Sequence, residues 1–473
     1  MIARSTDERV RLVLSTLTEP EGTGGSADWA TLAQVLADGR DDAVWLTFCV
    51  LDGRFPDAEQ VRTARRQIRS AGAPAFLRRW SGPRPFLRRR PPVEVVTNGM
   101  VLDVHHTART KLGTGIQRVV RQILQHWQGP ATLVGWTPGL TALRSLSAAE
   151  RDNATWGGTE PARPTDSHVV VPWLSRYVLL ELAVEDARTA RLAAMAEFSG
   201  NATAVIGFDC VPLTSGETTG AGMGAAFARN LVAVSHVDHV VPISAAAGQE
   251  YAGWRQMLAG TGLPGPRITP LELPWEMPGG AGDPAAAAAA FAVDGLPLLL
   301  CVGSHEPRKN HMAVLYAAEA LWQEGCGFSL AFIGGNSWNS EHFETEVARL
   351  QARGHPLRTA SGVPDDVVAG AYRVATAAVF PSLNEGFGLP VSVALSAGTP
   401  VVTSGYGSMR EIGEGRGAVL VDPRDDDSLL EGIRAVLFDE PTRARLHREI
   451  AAQTFRTWAD YTRELQALLV GDR

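Results

Sequence analysis

The chain has 473 residues, 45% of them apolar and 20% charged, with a formal net charge of -7. That length asks for two or three domains around sizeable cores. The composition is that of a globular protein, and the acidic balance argues against a general nucleic-acid binder. The opening stretch MIARSTDERVRLVL mixes charges where a signal peptide needs an apolar core. No run of about 18 apolar residues marks a membrane span. Four scattered cysteines, Cys49, Cys210, Cys301 and Cys326, lack metal-ligand spacing, so a reduced, cytoplasmic chain is expected. Of 44 basic residues only Lys111 and Lys309 are lysines. Against that arginine bias, each lysine marks a segment to inspect.

Residues 1–95 read as a helical N-terminal extension. Stretches 6–17 and 28–38 carry apolar residues at helical spacing, and Asp57 after Pro56 is an N-cap for a helix running to Ala71. Residues 78–92, RRWSGPRPFLRRRPP, are rich in arginine and proline. They read either as a solvated connector or as a peripheral contact with an anionic membrane surface or acceptor. From residue 99 short apolar runs alternate with helical patterns, the texture of β-α units around a mostly parallel sheet. Strands are expected at 100–104, 132–136, 168–171, 203–208 and 240–243. A Pro/Gly/Ala-rich stretch over 273–290 reads as a domain boundary. A second series follows at 297–303, 328–333, 374–380, 400–403 and 418–421. The division expected is 1–95, 96–272, 273–455, and a helix over 456–473 that returns to the first Rossmann-like domain. In doubly wound sheets ligands bind beyond the carboxyl ends of the strands, so the loops there are where chemistry is sought.

Two such loops stand out. Pro381-Ser-Leu-Asn-Glu385-Gly386-Phe387-Gly388-Leu389-Pro390 follows a strand and opens a helix. Its glycines admit close backbone approach, its helix start favours an anion, and Glu385 can accept from sugar hydroxyls. Gly303-Ser-His-Glu-Pro-Arg308-Lys309-Asn310 follows the first strand of the second series. Arg308 and Lys309 there form a compact cationic clamp suited to a diphosphate, and Asn310 can cap the next helix.

Together these segments resemble the family 4 glycosyltransferases of the GT-B fold. The resemblance extends over Ser361-Gly-Val363-Pro-Asp-Asp, Ala397-Gly-Thr-Pro-Val-Val-Thr-Ser404 and Phe455-Arg-Thr-Trp458. It implies an α/β fold of two Rossmann-like domains facing a cleft. It also implies a retaining transfer from a nucleotide-diphosphate sugar to a saccharide or other hydroxyl acceptor, with no metal or other cofactor. The Arg-Lys pair would neutralise the donor diphosphate, Glu385 would contact the donor sugar, and Gly303, Val363, Gly386, Phe387, Gly388, Leu389 and Val393 would line the donor site.

In the first domain, Leu102-Asp103-Val104 and Lys111-Leu-Gly113-Thr114-Gly115-Ile116-Gln117-Arg118-Val119-Val120-Arg121 resemble a bacterial mannosyltransferase-like subgroup that builds surface polysaccharides. Thr114, Gly115, Gln117 and Arg118 would line the acceptor side of the cleft. Phe208-Asp209-Cys210-Val211-Pro212 matches the same subgroup, with Asp209 placed to orient the acceptor hydroxyl or contact the sugar. Two positions depart from the family pattern. Phe208 stands where a histidine is common, and Val393 stands where a second glutamate usually holds the donor ribose. Those departures leave a second reading, a catalytically silent partner subunit of the same fold. His105, His106, His236 and His239 show no metal-ligand pattern and read as ordinary surface or core residues.

Overall fold

The computed structural model describes residues 1–18, 28–81, 90–110, 113–158, 167–276, 280, 282–338 and 340–471. Among them, no helix is long and apolar enough to cross a membrane. The second domain is the simpler of two. Its six-stranded sheet runs in the spatial order Leu357–Ala360, Ser329–Ile333, Leu298–Val302, Ala377–Phe380, Val401–Ser404, Ala418–Val421, parallel throughout. Runs such as LLLCV and AAVF are apolar without alternation because helices cover both faces of a parallel sheet. The chain leaves Leu298–Val302 toward one edge and later returns through Ala377–Phe380 toward the other. This reversal opens a crevice between the loops that follow those two strands. Both segments singled out for chemistry, 303–310 and 381–388, lie at that crevice.

The first domain carries a ten-stranded sheet. Its central strands Met100–Asp103, Arg176–Leu179, Ala202–Gly207 and His239–Pro242 are parallel. Thr132–Trp136 pairs in parallel on the other side of Met100–Asp103, and the short Leu143–Ser145 runs antiparallel to its neighbours.

The N-terminal helices form where the sequence places them, and their role differs from the expected one. Thr6–Leu17 is closed by a reciprocal Ser5–Glu8 cap, and Ala58–Ala71 by Asp57 and Gln60. Asp41–Asp52 is buried without interruption from Ala43 to Leu51. These helices do not form a separate extension. Ile2–Ala3 pairs antiparallel with Val93–Thr97, so the expected boundary near residue 95 falls inside a strand of the first sheet. One hydrophobic cluster joins Val10, Trp45, Phe48 and Phe76 to Trp136, Val170 and Tyr177 of the sheet. The physical reason is that the sheet's outer face is as apolar as its inner one and needs a covering layer. The described ends of the Arg/Pro-rich segment are also tied down. Arg79 stacks 4.8 Å from the Phe48 ring centroid, and Arg90 donates to the Leu51 carbonyl at 2.6 Å. Residues 82–89, which hold most of the possible membrane contact, lie outside the described residues.

The Pro/Gly/Ala-rich boundary contains a helix, Pro284–Phe291, capped by Asp283 and packed on Asp365–Val374. The final described helix, Trp458–Val470, packs on Gly115–His126 of the first domain. Gln466 and Gln128 exchange hydrogen bonds there at 2.7 and 3.2 Å. The chain therefore crosses between domains twice, and the two crossings touch. The Trp275 and Phe455 rings lie 5.7 Å apart, Arg456 donates to the Glu272 carbonyl at 2.8 Å, and the Trp458 amide donates to Glu276 at 3.0 Å.

Candidate functional site

At the reversal of the second sheet, the two predicted cations meet the predicted carboxylate. Lys309 Nζ lies 2.5 Å from Glu385 Oε1, and Arg308 Nη1 lies 2.7 Å from Glu385 Oε2. Arg308 also reaches Glu306 at 2.6 Å and the Asn384 carbonyl at 2.6 Å. Ser382 Oγ donates to Glu385 Oε1 at 2.7 Å. Lys309 Nζ sits 4.9 Å from the Phe380 ring centroid, a cation–π contact an ammonium can make while still facing the crevice. Burial alone would raise the Glu385 pKa. The neighbouring Lys309 and Arg308 charges outweigh it and hold the carboxyl at about 2. Arg308 is likewise desolvated, and Glu385 and Glu306 more than compensate, so its pKa is raised. The sequence suggests an open cationic clamp with a separate glutamate at its lip. In the structure the glutamate pairs with both cations of the clamp.

Asn310 sits at the start of helix His311–Gln323 with φ 59° but does not cap it. Its amide donates instead to the Pro423 carbonyl at 2.7 Å. Gly303 follows the strand Leu298–Val302, and a Cβ on it would meet Phe380 at 3.6 Å and Lys309 at 3.9 Å.

The glycines of the 381–390 loop have distinct tasks. Gly388, at φ 99°, precedes helix Leu389–Ser396 in a backbone region that strains other residues, and Pro390 fits the first helical turn. Gly386 faces the first domain rather than open space. A Cβ there would lie 2.5 Å from the Phe208 carbonyl oxygen and 2.7 Å from Asp209 Oδ2. Gly386→Ala is therefore expected to push the domains apart, destabilising the chain by roughly 1–3 kcal/mol, the usual penalty for overpacking. Thermal unfolding checks this; an unchanged melting temperature would mean the two loops separate freely.

The other donor-side positions are mostly packed. Phe387 is buried, and Val363, Leu389 and Val393 are partly buried against a cluster that spans both domains. Ser392, beside Val393, is fully buried and donates to the Leu389 carbonyl of its own helix at 3.0 Å. It therefore offers the crevice no replacement for the missing glutamate.

On the first domain's side, Phe208 is buried and Asp209 Oδ1 accepts from the Val211 amide at 3.1 Å. Burial pushes the Asp209 pKa up to about 6; Glu250 and Glu385 add to the rise, and Arg308 opposes it. Thr114 and Gly115 begin helix Gly115–His126. The Thr114 hydroxyl turns to Gln117 rather than capping the helix. A Cβ on Gly115 would lie 3.8 Å from Leu389 of the second domain. Arg118 reaches across to Asp365 at 3.0 Å, an exposed ion pair between the domains. Lys111 lies outside the described residues.

The structure adds a buried charge network that the sequence did not reveal. Asp103 accepts from Trp136 Nε1 and the Tyr177 hydroxyl, each at 2.6 Å, and pairs with Arg188 at 3.1 Å. Arg188 also pairs with Glu181, which accepts from the His106 and Thr107 amides at 2.7 and 2.9 Å. His106 itself pairs with Glu185 at 2.7 Å, and His105 is buried beside it. These groups fix the loop after Met100–Asp103, which leads into Thr114. The links from Asp103 to Arg188 and from Glu181 to the His106 amide span 85 and 75 residues, and only Asp103 at a strand end gave a local signal. Among the described residues, no three His, Cys, Asp or Glu side chains converge as metal ligands.

Residues 286–453 match the family model for glycosyl transferases group 1. The serotype-specific mannosyltransferase WbdA of Escherichia coli is 25% identical over 333 residues, covering 67% of this chain and 40% of its own length. The O-antigen chain mannosyltransferase B of Escherichia coli is 34% identical over 145 residues, 30% of this chain and 38% of its own. This chain thus spans about two fifths of the length of these curated relatives. Among solved structures, Anabaena HepE in complex with UDP and glucose superimposes with a TM-score of 0.56 at 11% identity, covering 79% of this chain and 99% of that one. The sucrose-phosphate synthase of Thermosynechococcus elongatus gives a TM-score of 0.56 at 15% identity, covering 78% and 98%. These structural likenesses speak to the fold, and the sequence match speaks to the family. Over residues 286–453 the chain is thus similar to the group 1 glycosyl transferases, and its two Rossmann-like domains form the GT-B fold.

Proposed function

We propose that this chain transfers a sugar, with retention, from a nucleotide-diphosphate sugar to a saccharide or other hydroxyl acceptor in polysaccharide or glycoconjugate synthesis. The names of its mannosyltransferase relatives favour mannose as that sugar. The observation that carries the reading is the placement of Arg308 and Lys309, both on Glu385, where the strand order of the second sheet reverses.

The chemistry follows from those charges. A donor diphosphate brings negative charge to Arg308 and Lys309 and displaces Glu385, which then accepts from the sugar hydroxyls. As the bond from the anomeric carbon to the phosphate oxygen breaks, the leaving oxygen gains charge where two cations are already fixed. The acceptor oxygen forms the new bond on the same face, and its proton passes to the departing phosphate. Asp209, across the Gly386 contact, orients that acceptor hydroxyl. No side chain forms a covalent bond to the sugar in this scheme.

Glu385→Gln separates the parts of the reading. The amide is a weaker acceptor toward sugar hydroxyls, so transfer should fall at least tenfold, a loss of about 1.4 kcal/mol in transition-state stabilisation. The same change releases both cations, so the nucleotide diphosphate alone should bind as tightly as before or several-fold tighter. Calorimetric titration and turnover check the two halves. A collapse of nucleotide affinity would move Glu385 out of the sugar site.

A further inference from the structure

Helix Ala245–Ala259 belongs to the first domain, and its first turn is completed by the second. Ser244 Oγ accepts from the Ala247 amide at 2.9 Å, as an ordinary N-cap does. Two further amides of that turn are bonded by the second domain. Ala245 N donates to Glu411 Oε1 at 2.9 Å, and Ala246 N donates to Glu411 Oε2 at 3.0 Å. Glu411 lies on helix Gly407–Gly413 of the second domain. A carboxylate facing two helix N–H groups is the favoured charge in that place, since the first turn carries the positive end of the helix dipole. Beside this contact, the fully buried Ser244 donates its hydroxyl proton to the Gly386 carbonyl at 2.6 Å. Gly386 is the neighbour of Glu385, and a Cβ on it would run into Phe208 and Asp209.

We propose that Glu411 is a positioning residue for the transfer: seated across the domain boundary on the Ala245 and Ala246 amides, it holds the Glu385–Gly386 loop in register with Asp209. The inference rests on the functional reading above for its effect on turnover, and on geometry alone for its effect on the loop. Glu411 touches neither Arg308 nor Lys309, so the phosphate clamp is complete without it. What it supplies is the relative placement of a donor held by one domain and an acceptor held by the other. When the domains part, water satisfies both amides and the helix survives. The contact therefore biases the closed arrangement without being required for the fold of either domain.

The test uses the full chain with Glu411→Ala and the near-isosteric Glu411→Gln, which keeps one acceptor oxygen. In the Ala variant, hydrogen exchange at Ala245 and Ala246 should accelerate at least tenfold. Affinity for a nucleoside diphosphate and KM for the donor should stay within about twofold, while kcat falls about tenfold. The Gln variant should lie between, and it decides the matter if the Ala variant does not fold. Unchanged exchange at those amides would overturn the proposal. So would accelerated exchange with kcat intact, or a loss that appeared in KM and nucleotide affinity instead. A wild-type chain that transferred no sugar would sink the functional reading, and the exchange data would still decide whether Glu411 holds the loop.

Discussion

Deleting residues 1–92 is expected to leave an insoluble or unfolded chain. The deletion removes Ile2–Ala3 from the edge of Val93–Thr97 and strips five helices from the sheet. It exposes Trp136, which packs edge-on against Phe55 at 6.0 Å, itself 5.2 Å from Trp45. It also removes Arg9, a fully buried guanidinium that donates to the Val50 carbonyl at 2.8 Å and to the Pro91 carbonyl. Each large apolar side chain buried in this layer contributes about 1.5–3 kcal/mol, and a domain's whole net stability is roughly 5–15 kcal/mol. Losing a handful of them exceeds it. Expression and circular dichroism of residues 93–473 beside the full chain check the outcome. A soluble truncated chain with a cooperative melt would show that the helices are a separable extension after all.

The second large effect concerns the clamp. Arg308→Ala with Lys309→Ala is expected to abolish transfer by a hundredfold or more, given about 1.5–3 kcal/mol for each charge-assisted hydrogen bond. The same double change strands Glu385 in a site where its side chain is only 11% exposed. Breaking one side of a buried pair typically costs about 3–5 kcal/mol, so the variant should also melt early. Adding Glu385→Gln removes the stranded charge. It should restore much of the stability and none of the activity. The pH dependence has a definite sign. The Glu385 pKa is lowered from 4.5 to about 2, so the stability its ionisation contributes is present above pH 4.5 and is lost as pH falls toward 2. That acid-side loss should be missing from Glu385→Gln. A double variant that kept wild-type turnover would remove the clamp from the mechanism.

Much of this was legible in the sequence because the decisive groups are local. Arg308 and Lys309 sit side by side just past one strand, and Glu385 sits among glycines just past another; spacing along the chain places each at the same sheet edge. The pairing of these groups with one another was not legible, since a motif states which residue types are present and not which of them are already engaged. Asp41–Asp52 shows a different gap. Its run of nine apolar or small residues, 43–51, signals a helix buried on all sides, yet periodicity does not reveal which surface buries it. The Asp103–Arg188–Glu181 network and the Glu411 cap were invisible for a shared reason. Asp103 lies 85 residues from Arg188, and Glu411 lies 166 from Ala245, so no local spacing joins them. Leu143–Ser145 and Arg176–Leu179 were missed as strands because three or four residues, one of them an arginine, carry too little alternation to read.

The return of Trp458–Val470 to the first domain has a mechanical consequence. A body joined by one tether can swing, twist and slide. Here two tethers cross together, clasped by Trp275 on Phe455 and by Arg456 on the Glu272 carbonyl. Sliding would shear that clasp, and free twisting would wind one crossing around the other. What the clasp favours is rotation about the clasped segments, so cleft points far from it would move more than points near it.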